Sequence, residues 1–317
     1  MNATRIAPVL ADQPLKFLWL ELTNRCNLQC LHCYADSGPR AELPEALTRT
    51  EHEHLITAAF EIGCRRIQFI GGEPTLNKDL QALIELARRT GYDFVEVYSN
   101  LTHLSDDLLY CFEQFDVCIA TSIYAPSAEV HDAITKVNGS FRRTTKNMRK
   151  LSAAGITLRA SIIEMPQNEG LTEVTINFLK DELEVQTVKI DRLRRFGRGG
   201  TGDQDMHELC GACANGTLCV GVDGKVSPCI MSKHWGVGSV REMSLAEIVY
   251  SARLNSLRAD LRRATHHPER STTSQDGCAP DECTPTIGCP PYNQPSGVRS
   301  TSGRMGRAPN ARGLRDD

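Results

Sequence analysis

Residues 16–34 read KFLWLELTNRCNLQCLHCY, an apolar run followed directly by three cysteines. The run 16–23 has the composition of a buried strand. Cys26, Cys30 and Cys33 follow it with the spacing C-x3-C-x2-C, and the aromatic Tyr34 comes next. A closed structural zinc site or a structural [4Fe–4S] cluster has four protein ligands. Three thiols in one loop therefore leave one metal coordination position for a ligand that is not protein.

The chain is rich in cysteine, with 13 among 317 residues. A secreted disulfide framework predicts an even number of cysteines and an export signal. The amino terminus lacks a cationic segment followed by a sustained apolar core, so we expect no signal peptide. Ten of the cysteines fall in three groups, at 26–33, 210–229 and 278–289. This grouping predicts metal or cluster ligation in a reducing cytoplasm.

Charge and hydropathy argue against two classes of partner. The formal net charge of −3 gives no overall attraction to nucleic acid or to an anionic membrane. The sequence holds no run of about 18 apolar residues, so we expect no membrane span. We therefore predict a cytoplasmic protein that acts on neither nucleic acid nor membrane.

Six strand–helix repeats follow one another between residues 16 and 194. The predicted strands are 16–23, 65–72, 93–100, 116–125, 156–165 and 185–193, and the helices are 49–63, 78–91, 105–115, 140–155 and 171–183. Such alternation predicts an α/β fold whose parallel sheet has right-handed crossovers and binds ligands at the carboxyl ends of its strands. Periodicity alone leaves open an open doubly wound sheet or a partial barrel.

Changes in composition divide the chain further. We expect a lead-in at 1–15, the strand–helix repeats at 16–194, a glycine-rich linker at 195–209, a cysteine-rich unit at 210–290 and a disordered tail at 291–317. Within the cysteine-rich unit, Asp223-Gly224 predicts a hairpin between two short strands. A helix over 244–264 is expected to begin at Ser244.

Polar or small residues stand where successive strands end. Gly71, Gly72, Glu73 and Pro74 close the second strand, where the glycines permit a tight turn and close approach of backbone. Ser99 and Asn100 end the third strand. On the fourth strand, period-2 alternation puts Cys118, Ser122 and Tyr124 on one face.

Taken with CNLQCLHCY (26–34), the order of these motifs resembles the radical S-adenosylmethionine enzymes. The resemblance implies a partial (β/α)6 barrel in which Cys26, Cys30 and Cys33 hold a [4Fe–4S] cluster, with one iron chelated by S-adenosylmethionine. It places the other cofactor contacts at Tyr34, Gly71, Gly72, Glu73, Pro74, Ser99, Asn100 and Ser122. Many relatives have an acidic residue where this chain has Tyr124, so the substrate-facing role of Tyr124 stays open. Cys118 is a candidate hydrogen donor, although a buried strand cysteine is more often structural.

The later cysteines resemble the SPASM or Twitch extensions, which hold auxiliary iron–sulfur clusters. The resemblance rests on the pattern Cys210-x13-Gly224-x4-Cys229. Downstream, the cysteine spacing of a full SPASM domain is only partly present. The resemblance implies one or two auxiliary [4Fe–4S] clusters, and the candidate ligands are Cys210, Cys213, Cys219, Cys229, Cys278, Cys283 and Cys289. Zinc bound by Cys210 and Cys213 with the later group is the alternative.

The resemblance implies an enzyme that cleaves S-adenosylmethionine reductively to a 5′-deoxyadenosyl radical, which abstracts hydrogen from the substrate. We expect oxidative modification or crosslinking of a ribosomally made peptide, with flavodoxin or ferredoxin as electron donor. The alternative enzyme is a radical dehydrogenase or epimerase acting on a sugar or aminocyclitol. A non-catalytic iron–sulfur or zinc regulatory module is a third hypothesis, but it leaves the strand-end motifs unexplained.

Overall fold

The computed structural model describes residues 14–41, 45–200, 202 and 204–265. The strands are β1 (Phe17–Glu21), β2 (Arg66–Ile70), β3 (Phe94–Tyr98), β4 (Cys118–Ser122), β5 (Leu158–Glu164), β6 (Thr187–Arg192), β7 (Thr217–Val220), β8 (Lys225–Ser227) and β9 (Gly238–Ser239). The helices are α1 (Arg49–Glu61), α2 (Leu80–Thr90), α3 (Asp106–Gln114), α4 (Ala128–Thr135), α5 (Ser140–Ala153), α6 (Thr172–Asn177), α7 (Leu245–Val249) and α8 (Ala252–Thr265).

The six strands of the repeats lie side by side in chain order and are parallel to their neighbours. A doubly wound sheet reverses its strand order at a switch point, whereas this order runs from β1 to β6 without reversal. Right-handed crossovers in one direction place all the helices on the same face. The predicted α/β fold is confirmed. Of the two arrangements that the sequence left open, the strand order agrees with the partial barrel.

The two faces of the sheet differ in chemistry. Alternate strand residues such as Leu18, Phe69 and Ile119 are buried in one core with helix residues such as Ile84 and Met148. On the opposite face lie polar side chains. Arg159 of β5 forms a salt bridge with Glu96 of β3, with the Nε–Oε1 distance 2.7 Å, and Gln68 of β2 donates to the same carboxylate. The barrel interior is therefore filled by paired polar groups below the strand ends.

The hairpin of the cysteine-rich unit extends the same sheet. β7 pairs with the free edge of β1 in parallel, and β8 pairs with β7 in an antiparallel ladder. The predicted Asp223-Gly224 turn connects β7 and β8 as expected. β6 is one edge of the six parallel strands, and β7 joins the opposite edge beside β1. The segment between β6 and β7 therefore crosses the sheet and does not separate two independent sheets.

Helix ends follow the predicted capping chemistry. Thr48 begins α1 with a capping box to Glu51, and Ser105 begins α3 by accepting a hydrogen bond from the Leu108 N–H. Ser244 caps α7 in the same manner as Thr48 caps α1. These three starts agree with the sequence pattern.

Three predictions about helices were wrong. The helix expected over 244–264 is two helices, because Tyr250 ends α7 and the Ser251 hydroxyl accepts from the Leu254 N–H to begin α8. The helix expected over 171–183 changes after α6 into a π-helical segment over Phe178–Glu182. The short α4 was not predicted; Ser127 stands at its N-cap without a capping hydrogen bond, and Lys136 ends the helix in a left-handed conformation.

Several sequence predictions fall outside the described residues. They are most of the lead-in, the disordered tail, and the three cysteines Cys278, Cys283 and Cys289. In the part of the chain that is described, no helix has both the length and the hydrophobicity needed to cross a membrane.

We expect Glu96→Ala to lower the free energy of unfolding by about 3–5 kcal/mol, because it leaves the buried Arg159 guanidinium without its carboxylate. Denaturant unfolding under anaerobic conditions measures the change. Glu53→Ala removes the carboxylate of an exposed helix pair with Arg49 and is the control, with an expected loss of about 0.5 kcal/mol or less. Equal losses of unfolding free energy in the two variants would contradict the larger contribution that we assign to the Arg159–Glu96 pair.

Candidate functional site

The predicted site residues from the first three strands meet at the carboxyl edge of the sheet. The Glu73 carboxylate accepts hydrogen bonds from the Ser99 hydroxyl at 2.8 Å and from the Asn100 N–H at 2.7 Å. The Asn100 amide nitrogen lies 3.7 Å from the Cys26 sulfur. The cysteine loop, the glycine–glutamate turn and the end of β3 therefore form one continuous structure.

The glycine–glutamate turn lies directly on the backbone that leads into the cysteine loop. The Gly72 N–H donates to the Thr23 carbonyl at 2.7 Å, and the Glu73 N–H donates to the Arg25 carbonyl at 2.8 Å. A Cβ atom on Gly72 would stand 2.2 Å from the Arg25 carbonyl oxygen. Glycine is needed here because two backbones pack without room for a side chain.

Glu73 is a buried structural carboxylate in this arrangement. Besides Ser99 and Asn100, the Thr75 N–H and hydroxyl donate to it, and Pro74 begins the short turn that presents Thr75. Burial raises the pKa of Glu73, and these hydrogen bonds act in the opposite direction. Roles for Gly71, Gly72, Glu73, Ser99 and Asn100 in contacting S-adenosylmethionine remain predictions, since their described contacts are with one another and with the cysteine loop.

The three thiols of the loop share one electrostatic environment. Burial is the largest cause that raises the pKa of Cys26 to about 11 and that of Cys30 to about 12, and the neighbouring thiols raise both further. Backbone N–H groups donate to sulfur at both ends of the loop, from Leu28 to Cys26 and from Ser37 to Cys33, each at 3.4 Å.

Three thiolates this close would repel one another, so the donor set fits a cationic iron centre that neutralises them. Within the described ranges, no three Cys, His, Asp or Glu side chains are placed to hold a single metal ion. A four-iron cluster is larger than one ion, and its cysteine ligands need not converge on one point. The residues present therefore fit a cluster better than a mononuclear zinc site.

Tyr124 lies against the cysteine loop. It is buried, which raises the pKa of its hydroxyl well above the usual value, with the Cys30 thiol and Ser122 among the groups that act on it, and its ring centroid is 4.8 Å from that of His32. The Ser122 hydroxyl also pairs with the Tyr98 hydroxyl at 2.9 Å. Ser122 and Tyr124 thus lie at the carboxyl end of β4 on the side of the cysteine loop, and their roles toward cofactor and substrate remain predictions.

Tyr34 connects the first cysteine group to the second. It packs in a small apolar cluster with Phe196, Leu209 and Cys213, and its buried hydroxyl has no hydrogen-bond partner among the described residues. In the same cluster, the Cys213 sulfur lies 3.2 Å from the Cys229 sulfur. A further thiol contact joins Cys210 to Cys213. The structure therefore gathers Cys210, Cys213 and Cys229 beside the residue that follows Cys33.

Two other predicted residues have different surroundings. Cys219 is fully buried on β7, where Glu21, Lys233 and Ser227 influence its pKa. Cys118 begins β4, so about 13 Å of strand separates it from Ser122 at the carboxyl end. A hydrogen-donor role for Cys118 remains a prediction that this separation does not favour.

An ion pair near both cysteine groups, with a buried carboxylate and a partly exposed ammonium, was not predicted from the sequence. The Lys233 ammonium donates to the Glu21 carboxylate at 2.7 Å, and Glu21 is 1% exposed. Burial raises the pKa of Glu21, and the Lys233 charge partly offsets it. The available signal was period-2 alternation in the strand FLWLE, which places Glu21 on the same face as Phe17 and Trp19.

Two family models match the chain. The radical SAM superfamily model matches residues 20–179, about half of the chain. The chain belongs to the radical S-adenosylmethionine superfamily. The SPASM model, described as an iron–sulfur cluster-binding domain, matches residues 210–284. This radical SAM enzyme therefore binds a [4Fe–4S] cluster and S-adenosylmethionine, and it carries a domain for auxiliary iron–sulfur clusters.

Curated relatives match part of the chain. The chain is 31% identical to mycofactocin maturase MftC of Mycolicibacterium smegmatis over 200 residues, which are 62% of this chain and 49% of that protein. It is 28% identical to the antilisterial bacteriocin subtilosin biosynthesis protein AlbA of Bacillus subtilis over 198 residues, 59% of this chain and 42% of that protein. The chain thus spans about half the length of the curated relatives it matches.

The fold is similar to that of Streptococcus suis SuiB bound to its precursor peptide SuiA. The TM-score is 0.63 at 14% identity, and the match covers 78% of this chain and 67% of that chain. At this identity the similarity concerns the fold alone.

We expect Gly72→Ala to reduce iron incorporation at the first cysteine group, because the added methyl group separates the turn from the Arg25 carbonyl. Iron analysis and the electron paramagnetic resonance (EPR) signal of the reduced protein measure the loss. Gly38→Ala is the matched control in the same region, since a Cβ at Gly38 meets nothing within 4 Å. Normal iron content in both variants would show that cluster binding does not need the close approach of Gly72 to the Arg25 carbonyl.

We expect Cys213→Ser to lose roughly the four iron atoms of one cluster and Cys219→Ser to keep them. The reason is that Cys213 contacts Cys210 and Cys229, whereas Cys219 faces the Glu21–Lys233 pair. Iron analysis after anaerobic reconstitution measures both. Loss of iron from Cys219→Ser would return this residue to the ligand set.

Proposed function

We propose that this radical SAM enzyme oxidatively modifies a ribosomally made peptide. Three relatives support the substrate class by what their names record: a mycofactocin maturase, a subtilosin biosynthesis protein, and SuiB in complex with a precursor peptide. Because the matched sequence relatives are covered only in part, the substrate is a proposal for this chain.

The proposal that the modification is an oxidation rests on one observation. The two cysteine groups are in contact through Tyr34 and Phe196. We assign Cys26, Cys30 and Cys33 to the cluster that binds S-adenosylmethionine, and Cys210, Cys213 and Cys229 to an auxiliary cluster. When bound, the first cluster and its nucleotide supply a 5′-deoxyadenosyl radical that takes a hydrogen atom from the substrate. A substrate that has lost a hydrogen atom must lose one more electron, and a proton to solvent, to reach a neutral closed-shell product that is two hydrogens lighter. An electron acceptor beside the barrel serves that need.

The residues of this chain then have distinct tasks. Glu73, Ser99 and Asn100 connect the loops at the strand ends by hydrogen bonds. These contacts fix the position of Cys26. Tyr34, Phe196 and Trp235 form an apolar contact that excludes water between the cysteine groups. The Glu21–Lys233 pair is a polar feature beside this contact and is suited to hold a polar group of the substrate.

The alternative of a small-molecule dehydrogenase or epimerase remains a second hypothesis. Oxidation and epimerisation differ in the fate of the substrate hydrogen. An epimerase returns a hydrogen from a donor on the opposite face, and the described donor candidate Cys118 lies at the far end of β4. This placement favours oxidation.

We expect wild-type protein to release 5′-deoxyadenosine when dithionite and S-adenosylmethionine are added, and the triple variant Cys26→Ala/Cys30→Ala/Cys33→Ala to release none above background. Liquid chromatography with mass spectrometry measures the nucleoside. Cys64→Ala, which alters a buried cysteine packed in the core, is the control and should release it as wild type does. Equal release from the triple variant would remove the proposed role of these thiols.

The substrate class requires a separate test. Candidate precursor peptides encoded beside the gene are incubated with the reconstituted enzyme and compared with sugar and aminocyclitol substrates in the same assay. A peptide product lighter by two hydrogens supports the proposal. Deuterium uptake from solvent into a product of unchanged composition, or turnover of the sugars alone, would overturn it.

A further inference from the structure

The glycine-rich segment 196–200, which the sequence presents as a linker, lies on the cysteine loop. The Arg198 N–H donates to the Cys33 carbonyl at 3.0 Å. A Cβ atom on Gly197 would stand 2.3 Å from the same carbonyl oxygen, and Gly197 has φ +53°. Only glycine allows this approach, so the segment is shaped to meet the loop.

The Arg198 side chain holds the loop on both sides of Cys33. Its Nε donates to the Cys30 carbonyl at 2.9 Å, one terminal nitrogen donates to the Ser37 carbonyl at 2.8 Å, and the other donates to the Asp36 carboxylate at 2.9 Å. One planar guanidinium thus ties together two carbonyls that are seven residues apart in the chain. Lysine lacks the fork of donors that this geometry uses.

The loop has few other restraints over this stretch. Its internal backbone hydrogen bonds join Cys33 to Cys30 and Asp36 to Cys33, as in two successive turns. α4 and its end hold the earlier part, where Gln29 and Leu31 donate to the carbonyls of Thr135 and Ile134. In the later part, from Cys33 to Ser37, the Ser37 N–H donates to the Cys33 sulfur and the Cys26 N–H donates to the Gly38 carbonyl just beyond it, while the described hydrogen bonds from outside the loop come from Arg198.

We propose that Arg198 is a positioning residue for the S-adenosylmethionine-binding cluster: it closes the cysteine loop around Cys33 and places a fixed positive charge beside the cluster. The closure slows loss of iron, since hydrogen-bond partners that orient the ligands raise metal affinity. The positive charge favours the reduced cluster, which carries one more negative charge, and so raises its reduction potential.

Two variants separate the closure from the charge. Arg198→Lys keeps the charge and loses the fork, whereas Arg198→Met loses both. Arg195→Met is the matched control, because Arg195 is in the same segment, has a side chain that is 75% exposed, and pairs with Glu208 instead of the loop. All variants are compared as full-length, anaerobically reconstituted protein.

Two readouts that need no turnover are measured on the cluster whose EPR signal changes when S-adenosylmethionine is added. These are the rate of iron release to a chelator and the midpoint reduction potential. We expect iron release to rise roughly 10-fold or more in both Arg198 variants. We expect the potential to become more negative in Arg198→Met, to stay near the wild-type value in Arg198→Lys, and to be unchanged in Arg195→Met.

The auxiliary cluster, whose EPR signal does not respond to S-adenosylmethionine, serves as the internal standard. Equal loss of iron from both clusters, with a lowered unfolding temperature, would assign Arg198 to general stability and overturn the proposal. Wild-type release and potential in both Arg198 variants would also overturn it. Because no substrate is used, the result stands or fails independently of the peptide proposal.

Discussion

Three neighbouring thiols in a loop without regular secondary structure must be held by backbone from elsewhere in the chain. Burial raises the pKa of Cys26 and Cys30, and the nearby Cys33 thiol raises both further. An iron centre offsets this cost only if the loop presents the three sulfur atoms together. The requirement explains why the loop is contacted on three sides, by the turn after β2, by the end of α4, and by the segment after β6.

The sheet supplies the first of these contacts by its order. Because β1, β2 and β3 are neighbours with the same direction, the loops that follow them meet at one edge. Glu73 then joins its own turn to Ser99 and Asn100, and Gly72 packs on the entry to the cysteine loop. The third contact comes from the chain as it crosses from β6 to β7. The crossing also delivers Phe196 to Tyr34, so the same segment fixes the loop and brings the auxiliary cysteines near it.

The strands, the helices and the motifs at the strand ends were predictable from the sequence, because each has a local pattern. Alternating apolar strands and capped helices indicated the parallel sheet, and each strand-end motif followed its strand, so their convergence could be inferred. The contacts of Arg198 could not be inferred in this way, because they join residues up to 168 positions apart across an irregular segment. Pairing of β7 with β1 also escaped prediction, since short hairpin strands carry no signal for the edge they join. α4 was missed because its eight residues are fewer than the stretch over which helical periodicity can be recognised.

The central claim is that Cys26, Cys30 and Cys33 leave one iron of a four-iron cluster for S-adenosylmethionine. Electron–nuclear double resonance on the reduced protein, with the methionine amino group of the nucleotide labelled with ¹⁵N, tests it most directly. A hyperfine coupling from the labelled nitrogen to the cluster is the predicted result. A cluster signal that shows no coupling to the label, and that does not change when the nucleotide is added, would contradict the account.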